Sequence, residues 1–360
     1  MTNTILPVSF FFGANNKFKY SSLYDELYNP FEKGNHIILK GGPGTGKSTL
    51  MRRIAEKLEK DGIYVERGFC SADPSSLDVV YAPEINFSIF DGTSPHIVEP
   101  VMPGVSEHIV DLGIAWNREI LKDNIVAIGD LTATNRQLHN KTAEFMNVGA
   151  QLETQSAIIS SKFIDEEKLQ RFTLRLANRL LPSKKSNEKG RVHKRFLSAV
   201  SPDGIAVQHD TIVALSEDII TVKDEYGTVS PYIVSYISDC AVERGYDVYL
   251  CYCPLFPNFK PEHIIIPELK TAIFTENSYH YSIDDESKRI NATRFYDKTV
   301  FAENKEKLAF LKKAKKEIID EAVRKVSLAK DIHDKLEAYY VSATDFDVIN
   351  EIGEKIIKNI

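Results

Sequence analysis

The sequence predicts an α/β protein made of two related lobes in tandem, each a mainly parallel sheet flanked by helices and extended by a helical hairpin. Three observations point there. Near residue 40 a buried-strand pattern runs into a glycine-rich turn and then an amphipathic helix. The same spacing of apolar, glycine and proline positions returns about 183 residues later. Each copy is followed by a long stretch with helical periodicity.

Length agrees: 360 residues suggest two domains at about 100–200 residues each. With 43% hydrophobic and 27% charged residues the composition is that of a globular chain, which excludes wholesale disorder, collagen and coiled coil. A net charge of −6 argues against coating nucleic acid or an anionic membrane. Four cysteines are too few for a disulfide scaffold. The first twenty residues lack the basic start of a signal peptide, and no apolar run reaches the roughly 18–20 residues that span a bilayer. The expectation is a soluble, cytoplasmic protein with no membrane partner.

Residues 35–40 (NHIILK) form the first strong strand signal. Gly41, Gly42, Pro43, Gly44, Thr45, Gly46, Lys47, Ser48 and Thr49 follow, matching G-x-x-x-x-G-K-[ST] from Gly41 to Ser48. Leu50, Ile54 and Leu58 then share one helix face, and Gly62 stops the helix. Glycines let the backbone curl around a phosphate with N–H groups inward, and the helix N-terminus adds unpaired donors and partial positive charge. Lys47 can reach the β/γ-phosphates, and Ser48 can ligate Mg²⁺.

On these residues the chain resembles the P-loop NTPases, and residues 41–48 look like their Walker A motif. The resemblance implies an acid at the end of a neighbouring strand. Residues 85–90 (INFSIF) read as that strand and Asp91 as its acid, so Ser48 and Asp91 are the expected metal residues. Residues 63–70 read as a further strand, followed by Asp73. Ligands of open α/β sheets bind beyond the carboxyl ends of strands. The position after Asp91, where many hydrolysing members carry Glu, is Gly92. Asp73, Glu84 and His96 are therefore the candidates for orienting water, with Lys47 and Asp91 as the other catalytic residues.

The second copy keeps the frame and loses the chemistry. Lys40 falls on Lys223, Gly44 on Gly227, Gly62 on Gly245 and Cys70 on Cys253. After one inserted residue Pro83 falls on Pro267, Ile89 on Ile273 and His96 on His280. Gly41 has become Asp224, Gly46 Val229, Lys47 Ser230, Ser48 Pro231 and Asp91 Thr275. A carboxylate at the loop start would repel phosphate, and the lysine and magnesium hydroxyl are gone. The second lobe therefore reads as pseudo-active.

Residues 117–181 and 302–360 have helical spacing and should form hairpins flanking each core. His139 and His333 on them read as packing or surface residues. Arg171, Arg175 and Arg179 recur on one helix face that reads as solvated. Residues 182–194 are polar and basic, so the lobes are set at 1–181 and 195–360 with this linker between them. Cys251 and Cys253, in C-x-C spacing on a predicted strand, read as core residues.

The segments GGPGTGKSTLMRRIAEKL, FCSADPSSLD, FDGTSPHIVEP and IHDKLEAYYVSATDF resemble a bacterial family of tandem P-loop ATPases. This implies duplicated P-loop cores, ATP as nucleotide and Mg²⁺ as metal. The expected function is Mg-dependent ATP binding with hydrolysis at one site in the first lobe. Two alternatives stay open: phosphoryl transfer to a small-molecule acceptor, and a non-enzymatic ATP-dependent switch read by a protein partner.

Overall fold

The computed structural model describes residues 7–16, 19–94, 97–257, 259–281 and 288–360. The first half runs β1 (Val8–Phe11), β2 (Gly13–Asn16), β3 (Lys19–Ser22), β4 (Asn35–Lys40), α1 (Lys47–Lys60), β5 (Glu66–Phe69), β6 (Leu77–Ala82), β7 (Phe87–Asp91), β8 (Glu107–Asp111), α2 (Arg118–Asp123), α3 (Ile125–Ser161) and α4 (Glu166–Leu180). The second half runs β9 (Val192–Arg195), β10 (Ser198–Ser201), β11 (Gly204–Val207), α5 (His209–Leu215), β12 (Asp218–Lys223), α6 (Val229–Glu243), β13 (Val248–Tyr252), β14 (Pro261–Ile266), β15 (Thr271–Glu276), β16 (Lys288–Asn291), α7 (Lys298–Ser342) and α8 (Phe346–Lys358).

Two six-stranded sheets result, ordered β1-β5-β6-β7-β4-β8 and β9-β13-β14-β15-β12-β16. The spatial order is the same in both when strands are numbered within their half. Leu39 lies opposite Asp91 in the first sheet and Val222 opposite Thr275 in the second, the offset read from the sequence. The sheets are mainly parallel, as expected, but mixed, because one strand of each reverses. β6 runs antiparallel to β5 and β7, and β14 antiparallel to β13 and β15. The physical reason is connection length. Only residues 70–76 separate β5 from β6, and a parallel crossover takes a dozen or more.

α1 buries Leu50, Met51, Ile54, Ala55 and Leu58 on its sheet. Gly62 follows its C-cap at φ +83°. The halves meet along β1 and β9, where Phe11 and Phe196 exchange backbone hydrogen bonds of 2.9 and 3.1 Å. Beneath that seam Arg195 Nε donates to Glu66 Oε2 at 2.8 Å, with both side chains buried. The Arg195 guanidinium lies 4.8 Å from the Phe12 ring centroid.

The helical hairpins do not flank their own cores, as expected from the sequence, but cross over. Ile159, Phe163, Leu169 and Leu176 of α3–α4 and its turn share a core with Ile220, Val222, Ile233 and Ile237 of the second half. Ile356 of α8 joins the core of α1 and the first sheet. Backbone bridges pin both turns: Ile164 to Tyr296, and Trp116 to Thr344. Length explains the crossing. At about 1.5 Å per residue, the 37 residues of α3 extend about 55 Å and carry the hairpin tip away from its own half. The residues read as linker are tied to the second half, through Lys185 N–H to Arg244 O and Gly190 N–H to Val242 O, and the last three belong to β9.

Candidate functional site

The glycine-rich loop of the first half lies at the C-terminal edge of the first sheet, between β4 and α1. Gly44 and Gly46 take φ of +69° and +78°, which a Cβ would strain. Gly46 is the N-cap of α1; among the described residues no side chain bonds the helix start, and its first turn holds no acid. The loop is braced internally, with Thr45 Oγ1 donating to Gly42 O at 2.9 Å. Lys47 is nearly buried. Its Nζ donates to Gly41 O and Gly42 O at 2.8 and 2.7 Å and lies 3.6 Å from Asp91 Oδ2. Ser48 Oγ accepts the Leu77 N–H at 2.9 Å, and Thr49 is exposed beyond it. Asp91 ends β7 on this same edge, with Oδ1 accepting the Thr93 N–H at 2.8 Å. Thr93 Oγ1 donates to Gly41 O at 2.7 Å, closing the loop from the other side.

Asp73 also sits at this edge, after β5. It accepts from Ser75 N and Oγ at 3.1 and 2.6 Å and lies 3.5 Å from Lys330 Nζ. Burial opposes its ionisation, but the Ser75 hydroxyl and then Lys330 outweigh that, so its pKa is lowered. Glu84 does not belong to the site. It lies exposed in the turn before β7, at the opposite end of that strand from Asp91. Five strand residues separate the two ends, about 16 Å. The reason is chain direction: a residue preceding a strand parallel to β4 lies at the amino edge. His96 lies outside the described residues.

The second half covers this loop, one of the two roles, scaffold or cover, that the sequence leaves open for it. A Cβ placed on Gly42 would come within 2.9 Å of the Tyr340 ring. One on Gly44 would come within 2.8 Å of Val341 and 2.9 Å of Glu337. α7 thus lies on the loop, and a larger residue at either glycine would push it off.

The corresponding loop of the second half is built alike and filled differently. The Asp224 carboxylate, 1% exposed, accepts the N–H groups of Gly227, Val229 and Ser230 at 3.1, 2.8 and 2.8 Å and the Ser230 hydroxyl at 3.1 Å. It occupies the place where such a loop would hold an anion. The sequence leads one to expect Asp224 to repel phosphate; in the structure its carboxylate instead accepts the loop's own N–H groups. Beside it, Glu153 from α3 bonds both Lys260 and Lys315, at 2.6 and 2.5 Å. Burial opposes ionisation of Glu153, but Lys260 and Lys315 overcome it and bring its pKa down to about 2.

Other residues singled out have no partner in this chemistry. Arg171, Arg175 and Arg179 are exposed on α4, and Arg171 pairs with Glu167 at 3.0 Å. The four cysteines form no disulfide. Burial pushes the Cys251 thiol up to about 12, so it stays protonated. No helix among the described residues is long and apolar enough to cross a membrane. Comparisons of the chain with protein-family models, with curated proteins and with solved structures find no match.

Proposed function

We propose that the first half binds a magnesium nucleoside triphosphate, most naturally ATP, at residues 41–49, and that the chain hydrolyses it. In this reading the two halves are duplicated P-loop lobes of which only the first is active. The contrast between the loops carries the argument. Both sit between a strand and a helix N-terminus at the carboxyl edge of a sheet. In the second the nest is filled by Asp224; in the first, among the described residues, no side chain accepts from the N–H groups of residues 44–48. A triphosphate supplies the anion that such a nest stabilises.

The residues present fit that ligand. Gly44 and Gly46 leave room for backbone approach. Lys47 rests on two loop carbonyls, contacts it can exchange for phosphate oxygens of higher charge. Ser48 and Asp91 would hold the metal, which when bound neutralises charge on the phosphates. Asp73 remains on the correct edge to orient a water.

The switch reading gains from one observation: Glu337, Tyr340 and Val341 of the second half lie on the loop, so filling it bears directly on α7. Nucleotide titration of the wild-type chain and of Lys47→Ala, followed by phosphate release with and without Mg²⁺, tests the proposal. The expected outcome is binding and turnover in the wild type and an affinity loss of about 100-fold or more in Lys47→Ala, equivalent to about 2.7 kcal/mol. Unchanged affinity in that variant refutes the assignment. Binding without turnover leaves the switch.

A further inference from the structure

Among the described residues, Glu262 Oε2, His263 Nε2 and His280 Nδ1 are buried atoms with no hydrogen-bond partner. Their residues are 4%, 2% and 3% exposed, and their potential ligand atoms lie within 4.8 Å of one another at the C-terminal edge of the second sheet. Buried polar groups normally find partners, so three orphans at one point call for a ligand. Asp224 has already taken the anion nest beside them, so the ligand is not a phosphate.

We propose that Glu262, His263 and His280 bind a divalent transition-metal ion of the zinc class. Two imidazole nitrogens and one carboxylate oxygen form a donor set suited to such ions. The surroundings single out one atom on each residue. Glu262 Oε1 faces Lys260 Nζ at 3.4 Å, which leaves Oε2. His280 Nε2 bonds Ser198 Oγ at 2.9 Å, which orients the ring and presents Nδ1, the outer-sphere hydrogen bond that ligating histidines use. His263 stacks on Phe274 with centroids 4.6 Å apart.

His263 must reorganise to take part. Its Nδ1 accepts the Thr275 N–H at 3.1 Å, which places the ring hydrogen on Nε2. Coordination through Nε2 requires the ring to turn, release Thr275 and carry its hydrogen on Nδ1. Glu262 and His280 need no such change. Bonds of about 2.0–2.1 Å bring tetrahedral ligand atoms to about 3.4 Å apart, so side chains whose ligand atoms lie within 4.8 Å must draw together by up to about 1.4 Å. Glu262 and His280 also line a cavity of about 60 Å³ with Ser198 and Thr275. An open metal position facing it has room for a water-sized ligand.

The test uses the full chain after chelator treatment. Zn²⁺ is titrated by calorimetry, and Co²⁺ is followed by its visible absorption bands, which report nitrogen and oxygen ligands. One equivalent should bind, and Glu262→Gln and His280→Gln should each lower affinity by about 100-fold or more. His263→Gln should lower it by about 10-fold. Lys47→Ala should leave metal binding unchanged, which separates this site from the nucleotide site. Circular dichroism checks that the variants fold; if they do not, the cobalt spectrum of the wild type decides alone. Absence of uptake by the wild type, or uptake unaffected by Glu262→Gln and His280→Gln, overturns the proposal.

Discussion

Replacing Asp224 by Ala opens the nest that its carboxylate fills. The substitution removes four hydrogen bonds at a residue 1% exposed and strands the N–H groups of Gly227, Val229 and Ser230 at the start of α6. An orphaned buried donor costs about 1–3 kcal/mol, and a lost helix cap about 1 kcal/mol. Water entering from the adjacent cavity offsets part of this, so the expected loss is about 3–5 kcal/mol. For a unit of this size, about 2–4 °C per kcal/mol lowers the melting point by about 6–20 °C. The discriminating assay repeats the melts with inorganic phosphate. At 100 times its dissociation constant, phosphate returns about 2.7 kcal/mol to the variant. Wild type should gain less, because Asp224 occupies this nest and only the first-half loop can respond. Equal phosphate gains in both proteins, or a melting point unchanged by the substitution, would refute the view that this loop is an anion nest occupied by its own side chain. By the same logic, the double variant Val229→Gly, Ser230→Lys should bind no second nucleotide while Asp224 remains.

Arg195→Ala should destabilise the seam between the halves by about 3–5 kcal/mol, because it leaves the buried Glu66 carboxylate without its cation; adding Glu66→Gln should recover part of the loss in urea denaturation, and equal losses would count against the pair as the cause. Acidification should also destabilise the fold. Burial brings His36 down to about 4, against opposition from Glu107, and also lowers His193, His209, His263 and His280. The unfolded chain then takes up protons first, so this stability is complete above about pH 6.5 and is lost as pH falls toward about 4. Melting temperatures that stay level across that range would show that these histidines are not held neutral.

Much of the local architecture is legible along the chain. The pattern of residues 35–60 names a strand, a loop with left-handed glycines and an amphipathic helix, because each depends on neighbours within a few turns. The offset between the halves likewise locates equivalent strands, down to Asp91 and Thr275. β6 and β14 escaped because a short strand that reverses direction looks, in periodicity alone, like part of its neighbours. Glu84 was misplaced because its position before β7, rather than its proximity in sequence to Asp91, decides which sheet edge it occupies. The cluster of Glu262, His263 and His280 left only a faint trace, the alignment of His280 with His96, since its members come together through sheet pairing.

By itself the sequence determined that two α/β units follow each other and that the first carries a glycine-rich loop ending in Lys47 and Ser48 at a helix start, since glycine conformation, side-chain charge and helix periodicity are local properties. The tertiary structure alone decided that each hairpin is delivered to the opposite half, that α7 rests on the first loop and that Asp224 turns inward to fill the second. Those outcomes depend on which apolar faces bury each other and which buried donors find an acceptor, and both are settled between residues far apart in the chain.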